Sequence, residues 1–398
     1  MKKGTFINYQ LAEAILLTYN IINENDPQPE EFKTELEKLK NKWKDDIIPS
    51  TGTKVPDLFS MQDLTVKQLL MLSKELIEYD TYTIENCASM QNIMKQENNE
   101  DFTFDFSALD LIAKLARLSG KRIIIDSAIV HGDHFPLQFS KLNKDKIKEL
   151  IKKYIAELIS RYGDIIERID VLNAVFERKD VKSKDGVSVE DFWIETFGEN
   201  YGEEIINICK EALEKNNIPL CWNEFYITNI NCSERKDRFL STINKINNLD
   251  VIGIQDAFQD TADLDYTNSV LKEIEDICML TGKRFSITEL SCILSGKTIT
   301  ELYDKLNNDP SRINETINNV EKRINSIIGG VTEYSSNSDY CSSIEGRISK
   351  ELDYYSHRPE LTEFNGKTNK LINTVGNNWK SIVDKNQKFE EWHVSNVR

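Results

Sequence analysis

Residues 250–290 read DVIGIQDAFQDTADLDYTNSVLKEIEDICMLTGKRFSITEL, and this stretch decides the fold. Residues 250–255 and 284–288 are short apolar runs of the kind that form buried strands. Residues 268–282, which separate them, follow a helical pattern. A strand, a crossover helix and a second strand together predict a parallel βαβ unit.

The same alternation extends over most of the chain. Further strands are predicted at 121–125, 169–173 and 219–222, and helices at 142–162, 189–216, 234–247 and 311–328. The repeat is too long for a small sheet, so we predict an α/β fold, a closed (β/α)8 TIM barrel. Active sites of such barrels lie at the carboxyl ends of the strands. The polar residues predicted there are Asp126, Asn173, Asn223, Gln255 and Glu289.

The first 80 residues have a different character. Residues 29–45 form a highly charged helical stretch that predicts a solvated helix, with partner binding as the alternative. Its apolar side chains, expected to pack inward, are Phe32, Leu36, Leu39 and Trp43. We therefore expect two parts: residues 1–80 as an N-terminal helical segment packed on or inserted in the barrel, and residues 81–398 as the barrel.

Composition restricts the class of protein. The 398 residues carry 50 Lys and Arg against 66 Asp and Glu, which gives a net charge of −16. This acidity argues against a nucleic-acid partner and against adhesion to an anionic membrane. No apolar stretch approaches the roughly 18 residues of a membrane-spanning helix, and no signal peptide is recognised. A cytoplasmic location is the expectation, with a secreted mature form as the alternative.

Cofactor and metal motifs are missing from the sequence. Its seven cysteines are scattered without a CxxC pair, which predicts free thiols, and neither HExxH, GxGxxG nor a P-loop occurs. We therefore expect no cofactor and no metal site.

Several segments at the predicted strand ends resemble the glycoside hydrolase family 10 xylanases, in order, from about residue 89 to 385. Residues 89–95 resemble the ENxMK segment of that family, and Ile287–Leu290 resembles its ITEL. The other matching segments are 102–110 (the next turn and helix), 130–136 (WHxQxP), 161–174 (RYxG…WDVVNE), 222–225 (YNDY), 252–255 (DGIGxQ) and 378–384 (the closing helix).

The resemblance implies a retaining glycosidase, which needs a carboxylate nucleophile and a second carboxyl group as general acid and base. Glu289 occupies the nucleophile position. The acid/base position holds Ala174, whose methyl group cannot transfer a proton, and general acid–base catalysis is worth about 10²–10⁴-fold. Activity is therefore expected to be impaired or lost. Glu177 could substitute only if its loop bends back.

The resemblance also implies a set of substrate-binding residues: Asn92, Lys95, His131, Asn173, Gln255 and Tyr334. Other positions depart from the family pattern. Asp126 and Ala257 stand where the family has histidine, and Val130 replaces a tryptophan. Tyr334 is expected to form the aromatic wall after strand eight.

Several functions remain open at this point. The expected function is retaining hydrolysis of a β-1,4-linked glycan of the endo-xylanase type, with Glu289 as nucleophile and a β-1,4-linked oligosaccharide as partner. One alternative is a pseudoenzyme, a non-hydrolytic barrel that binds a carbohydrate or a protein. Another is an active enzyme with an engineered Ala174, which would leave the other departures unexplained. A third is different chemistry that uses carboxylates such as Glu289, Asp126, Asp133, Asp256 and Glu333.

Overall fold

The computed structural model describes residues 1–7, 9–24, 79–84, 87–97, 101–132, 135–176, 186–259, 262–293, 326–327 and 329–346, and the single positions 34 and 38. Within these residues, no helix is long and apolar enough to cross a membrane.

Strands and helices alternate along the chain. The strands are β1 (Lys2–Ile7), β2 (Thr81–Ile84), β3 (Met94–Gln96), β4 (Phe102–Phe104), β5 (Arg122–Ile125), β6 (Val130–His131), β7 (Ile166–Asn173), β8 (Leu220–Phe225), β9 (Val251–Gln259), β10 (Arg284–Ile293) and β11 (Cys341–Gly346). The helices are α1 (Tyr9–Glu24), α2 (Met90–Ile93), α3 (Ser107–Ser119), α4 (Lys144–Tyr162), α5 (Val189–Phe197), α6 (Tyr201–Leu213), α7 (Ser233–Ile243) and α8 (Leu264–Thr281). Residues 329–337 are helical and are named α9.

Eight parallel strands close into a barrel. Their order is β5-β2-β1-β11-β10-β9-β8-β7, and β5 pairs with β7 to complete the ring. The short β6 extends this seam beside β7, and β3 and β4 form a separate antiparallel pair. The predicted (β/α)8 TIM barrel is confirmed.

One predicted helix is two helices in the structure. The single helix expected over 189–216 is interrupted after Phe197, where Gly198 adopts a φ of 89°. A positive φ is incompatible with a continuing right-handed helix, and glycine adopts it without steric cost. The chain then restarts as α6 at Tyr201.

The predicted start of the barrel at residue 81 is too late. β1 lies between β2 and β11, with Gly4 paired to both Thr81 and Glu345. A Cβ atom on Gly4 would approach the Cγ of Glu345 to 2.5 Å, so glycine permits the close packing of these three strands. The charged stretch 29–45 lies outside the described residues.

The interior of the barrel contains an ionic cluster. Arg168 on β7 donates two hydrogen bonds to Asp170, of 2.5 and 2.9 Å, and two to Glu345 on β11, of 2.8 and 3.0 Å. It also donates to the hydroxyls of Ser286 and Ser343. All five side chains are buried. One cation therefore connects β7, β10 and β11 across the lumen.

The charges of this cluster depend on one another. Burial raises the pKa of the Glu345 carboxyl, and the Arg168 guanidinium acts in the opposite direction. Burial alone would lower the pKa of Arg168, but Asp170 and Glu345 outweigh it and raise that pKa. The two carboxylates thus favour the charged form of Arg168, and Arg168 offsets part of the effect of burial on Glu345.

We predict that Arg168→Met destabilises the protein by about 3–5 kcal/mol, since it leaves buried carboxylates without their cation. The control is Arg117→Met, which breaks the exposed Arg117–Asp164 pair and should cost less than about 1 kcal/mol. Urea unfolding followed by circular dichroism gives both values. An equally small loss of unfolding free energy in the two variants would contradict this role of Arg168.

Candidate functional site

A chain of buried hydrogen bonds crosses the barrel at the carboxyl ends of its strands. Asn173 donates to the Oγ of Ser127 at 2.7 Å, and Asn223 donates to the Oδ1 of Asn173 at 2.8 Å. The Thr288 hydroxyl donates to the Oδ1 of Asn223. The side chain of Asn173 is thereby fixed in one orientation at the barrel mouth.

Gly253 makes this chain possible. It lies on β9, between Asn223 on β8 and Ser286 on β10. A Cβ atom at residue 253 would lie 2.8 Å from the Cα of Asn223 and 2.9 Å from its Oδ1. Glycine therefore leaves the space through which Asn223 reaches Thr288 across the intervening strand.

We predict that Gly253→Ala destabilises the protein by about 1–3 kcal/mol, because the added methyl group collides with backbone as well as side-chain atoms. Gly330→Ala in α9 is the matched control, since its Cβ would meet only Leu264 at 3.7 Å. That control should be neutral or slightly stabilising in thermal unfolding. If Gly253→Ala leaves the stability unchanged, the hydrogen bonds that link Asn223 to Thr288 do not depend on the absence of a Cβ atom at residue 253.

Three neighbouring strands end in residues with left-handed backbone. Ser127 after β5, Ala174 after β7 and Tyr226 after β8 have φ values of 55°, 52° and 55°. The Ala174 N–H donates to the carbonyl of Asn223, and the Tyr226 N–H donates to that of Gln255. Such backbone is uncommon outside glycine and concentrates at functional sites.

Glu289 and Gln255 lie opposite each other at this end of the barrel. They are paired in the β9–β10 register, just after a bulge between Ile287 and Glu289. Glu289 is 9% exposed. The buried Oε1 of Gln255 has no hydrogen-bond partner among the described residues. A carboxyl group and an amide thus occupy adjacent register positions in the carboxyl-terminal half of β10 and on β9.

Ala174 directly follows Asn173 and is 4% exposed. The β7–β8 register ends at the pair Asn173–Asn223, and the Ala174 N–H donates to the carbonyl of Asn223, the residue before Glu224. Glu177 lies outside the described residues. The predicted acid/base position therefore carries only a methyl group.

Glu224 holds the turn that begins at Ala174. Its Oε2 accepts hydrogen bonds from the N–H groups of Val175 and Phe176, each at 3.2 Å, and its Oε1 accepts one from Phe225. The side chain is fully buried, and burial raises its pKa to about 8 against the effect of these N–H groups. This role of Glu224 was not predicted from the sequence. The feature that could have indicated it is the position of Glu224 directly after Asn223, which was predicted to lie at a strand end.

Glu224 faces the surrounding helices and not the lumen. Neighbouring residues of a strand alternate between faces, and Asn223 points into the barrel. Burial, Glu190 and Glu224 together raise the pKa of the Tyr201 hydroxyl on α6. The carboxyl group of Glu224 thus stabilises the turn after Ala174 from outside the barrel lumen.

We predict that Glu224→Gln changes the pH dependence of stability. The folded state retains the Glu224 proton up to about pH 8, whereas the unfolded chain releases it near pH 4.3. The free energy of unfolding of the parent therefore falls as the pH rises from 5 to 8.

The variant should match the parent at pH 5 and be more stable by a few kcal/mol at pH 8.5, at about 1.4 kcal/mol for each unit of pKa. Urea titrations at the two pH values measure this. Exposed Glu234→Gln is the control and should follow the parent. A parallel fall in the parent and in Glu224→Gln would overturn the assignment.

The structure brings some of the other predicted residues to the mouth. His131 is paired with Asn173 in the β6–β7 register and is 5% exposed. Asn92 belongs to α2, which is tied to the end of β5 by a hydrogen bond from the Met90 N–H to the Ala128 carbonyl.

Lys95 lies further out, on the β3–β4 hairpin. Its ammonium forms a 2.5 Å ion pair with Asp105, and its side chain is 62% exposed. The hydrogen bond from Lys95 lowers the pKa of Asp105 to about 2. Lys95 can reach a ligand only at the rim of the mouth.

The prediction for Tyr334 is wrong. It lies in α9, before β11 begins at Cys341, and its hydroxyl donates to Glu275 of α8 at 3.2 Å. Tyr334 therefore belongs to the outer helix layer, as does the exposed Glu333. The residues that follow β11 lie outside the described part of the chain. Within that part, no group of His, Cys, Asp and Glu could hold a metal ion.

Comparison with known proteins gives one family. The sequence profile of glycosyl hydrolase family 10 matches residues 52–340. No curated protein matches the chain.

Solved xylanases share the fold at low sequence identity. A GH10 xylanase with a bacterial Ig-like domain from termite gut is 18% identical with a TM-score of 0.52, over 68% of this chain and 62% of its own length. The chain thus spans less than two thirds of that relative. Xylanase 10B from Thermotoga maritima is 17% identical with a TM-score of 0.52, over 74% of this chain and 81% of its own.

Xylanase 10B from Thermotoga petrophila RKU-1, solved in complex with xylobiose, is 17% identical with a TM-score of 0.51, over 74% of this chain and 80% of its own. At these identities, the likeness shows the fold alone.

Proposed function

The chain belongs to glycosyl hydrolase family 10, and we propose that it is a retaining β-glycosidase of the xylanase type with Glu289 as its nucleophile. The observation that carries the proposal is the pairing of Glu289 with Gln255 in the carboxyl-terminal half of β10, which ends at Ile293. In such a barrel, a carboxyl group at this end is placed for catalysis. Its attack on the anomeric carbon would form a covalent glycosyl-enzyme.

The polar mouth supports a sugar as the ligand. Asn173 and His131 lie beside each other at one strand seam, and Gln255 lies beside Glu289 at another. Amide and imidazole groups bind sugar hydroxyls, which both donate and accept hydrogen bonds. The structural neighbours include a xylanase bound to xylobiose, so the proposed substrate is a β-1,4-linked xylo-oligosaccharide.

Ala174 sets the expected level of activity. A methyl group cannot protonate the leaving oxygen or activate water, and the missing general acid–base catalysis is worth about 10²–10⁴-fold. Both steps of the retaining mechanism are slowed, since one residue serves both. We therefore propose that hydrolysis of ordinary oligosaccharides is strongly impaired.

We predict that 2,4-dinitrophenyl 2-deoxy-2-fluoro-β-xylobioside labels Glu289 covalently. Dinitrophenolate leaves without protonation, so the attack of Glu289 needs no group at residue 174. One equivalent of dinitrophenolate should be released, and mass spectrometry of the digest should place the sugar on the peptide that contains Glu289.

Glu289→Gln should remove both signals, whereas Glu333→Gln, which changes an exposed carboxylate on α9, should leave them intact. The nucleophile assignment fails if the label is found on another peptide or if the parent protein is not labelled.

A further inference from the structure

A cavity of about 380 Å³ opens between α8 and α9 in the outer helix layer. Asn268 and Glu275 of α8 form one wall, and residues between Gly330 and Ser338 form the other. The pockets that bind small molecules usually have volumes of about 300–1,000 Å³. The cavity is therefore large enough for a small ligand, and its lining shares no residue with the site at the strand ends.

Glu275 holds the two walls together. Its Oε1 accepts a hydrogen bond from the Ser338 hydroxyl at 2.8 Å, and its Oε2 accepts one from the Tyr334 hydroxyl at 3.2 Å. The ammonium of Lys272, one turn earlier on α8, lies 3.1 Å from the same Oε2. Burial raises the pKa of Glu275, but these three partners outweigh it and lower that pKa. The carboxylate is thus fixed in place, and its charge is compensated.

Another group in the wall lacks a hydrogen-bond partner. The Oδ1 atom of Asn268 is buried and accepts no hydrogen bond in the part of the chain that the structure describes. A buried acceptor without a donor is destabilising, so a ligand that donates a hydrogen bond to Asn268 removes this cost. The lining also includes the half-buried ring of Tyr334 and the exposed side chains of Glu333 and Asn337.

We propose that this cavity is an accessory binding site for a neutral pyranose sugar. The hydroxyl groups of a sugar both donate and accept, so they can donate to Asn268 and Glu333 and accept from the amide of Asn337. The apolar face of the ring can pack on Tyr334, whose aromatic ring combines an apolar body with a polar end.

An organic cation fits the cavity less well than a sugar. Lys272 already neutralises Glu275, so an added ammonium group would meet a cation beside the carboxylate that it would need. The inference also does not depend on Glu289, because the accessory site binds a sugar without cleaving it.

The test is a titration of the full chain, labelled with ¹⁵N-glycine, with xylobiose and with cellobiose in two-dimensional NMR. Gly330 lies in the cavity wall, and Gly253 lies below the barrel mouth, between Asn223 and Ser286. The signal of Gly330 is assigned by its loss in Gly330→Ala, and that of Gly253 by its loss in Gly253→Ala. We expect the Gly330 signal to shift in a saturable manner as sugar is added.

Asn268→Leu removes the unpartnered acceptor and keeps the size of the side chain. The affinity read from the Gly330 signal should fall about fivefold or more, the usual worth of one hydrogen bond. Thermal stability should stay the same or rise, because a buried acceptor without a donor has been replaced by an apolar group. Asn247→Leu, at an exposed position, is the control and should bind like the parent.

Three outcomes would overturn the inference. One is a Gly330 signal that does not respond to either sugar, and the second is unchanged affinity in Asn268→Leu. The third is a larger response to 1,4-diaminobutane than to xylobiose, which would make the cavity an amine site. The Gly253 signal reports the mouth separately, so a response there without one at Gly330 removes this inference and leaves the proposed function in place.

Discussion

The barrel depends on the guanidinium of Arg168, which lies where other barrels of this class hold branched apolar side chains. It connects β7 to β10 and β11 through the carboxylate of Glu345 and two hydroxyls, and it also pairs with Asp170 on its own strand. Desolvation of such charges costs several kcal/mol per ion, so the cluster is stable only as a complete set. The arrangement also fixes the register of the strands, since a shift by one residue would leave buried charges unpaired.

The polar interior continues up to the mouth of the barrel. Above the ionic cluster, the hydrogen-bonded chain from Thr288 through Asn223 and Asn173 to Ser127 crosses the lumen. Gly253 permits this crossing because it has no Cβ atom. A fully connected set of buried polar groups is rigid, and rigidity is what a site needs to hold a sugar ring in one position.

At the seam between β7 and β8, the side chain at residue 174 carries no catalytic group, whereas the hydrogen bonds that hold the backbone are present. Ala174 has no group that can transfer a proton. Its left-handed backbone and the turn after it are nevertheless held by three hydrogen bonds to two oxygen atoms of β8, the Asn223 carbonyl and the Glu224 Oε2. The hydrogen bonds to Glu224 fix the backbone of this turn whatever side chain is present at residue 174. The turn after β7 thus keeps its shape although residue 174 carries only a methyl group.

The sequence by itself determined the barrel, and it predicted polar residues near the carboxyl ends of the strands. Strands buried on both faces leave continuous apolar runs, as at 252–254, and such local patterns need no knowledge of distant contacts. Only the tertiary structure placed β1 in the ring and moved Tyr334 to the outer helices. It also paired Arg168 with Glu345 and bonded Glu224 to the turn after Ala174. These facts depend on contacts between residues far apart in the chain, which the register and closure of the barrel bring together and which no local pattern records.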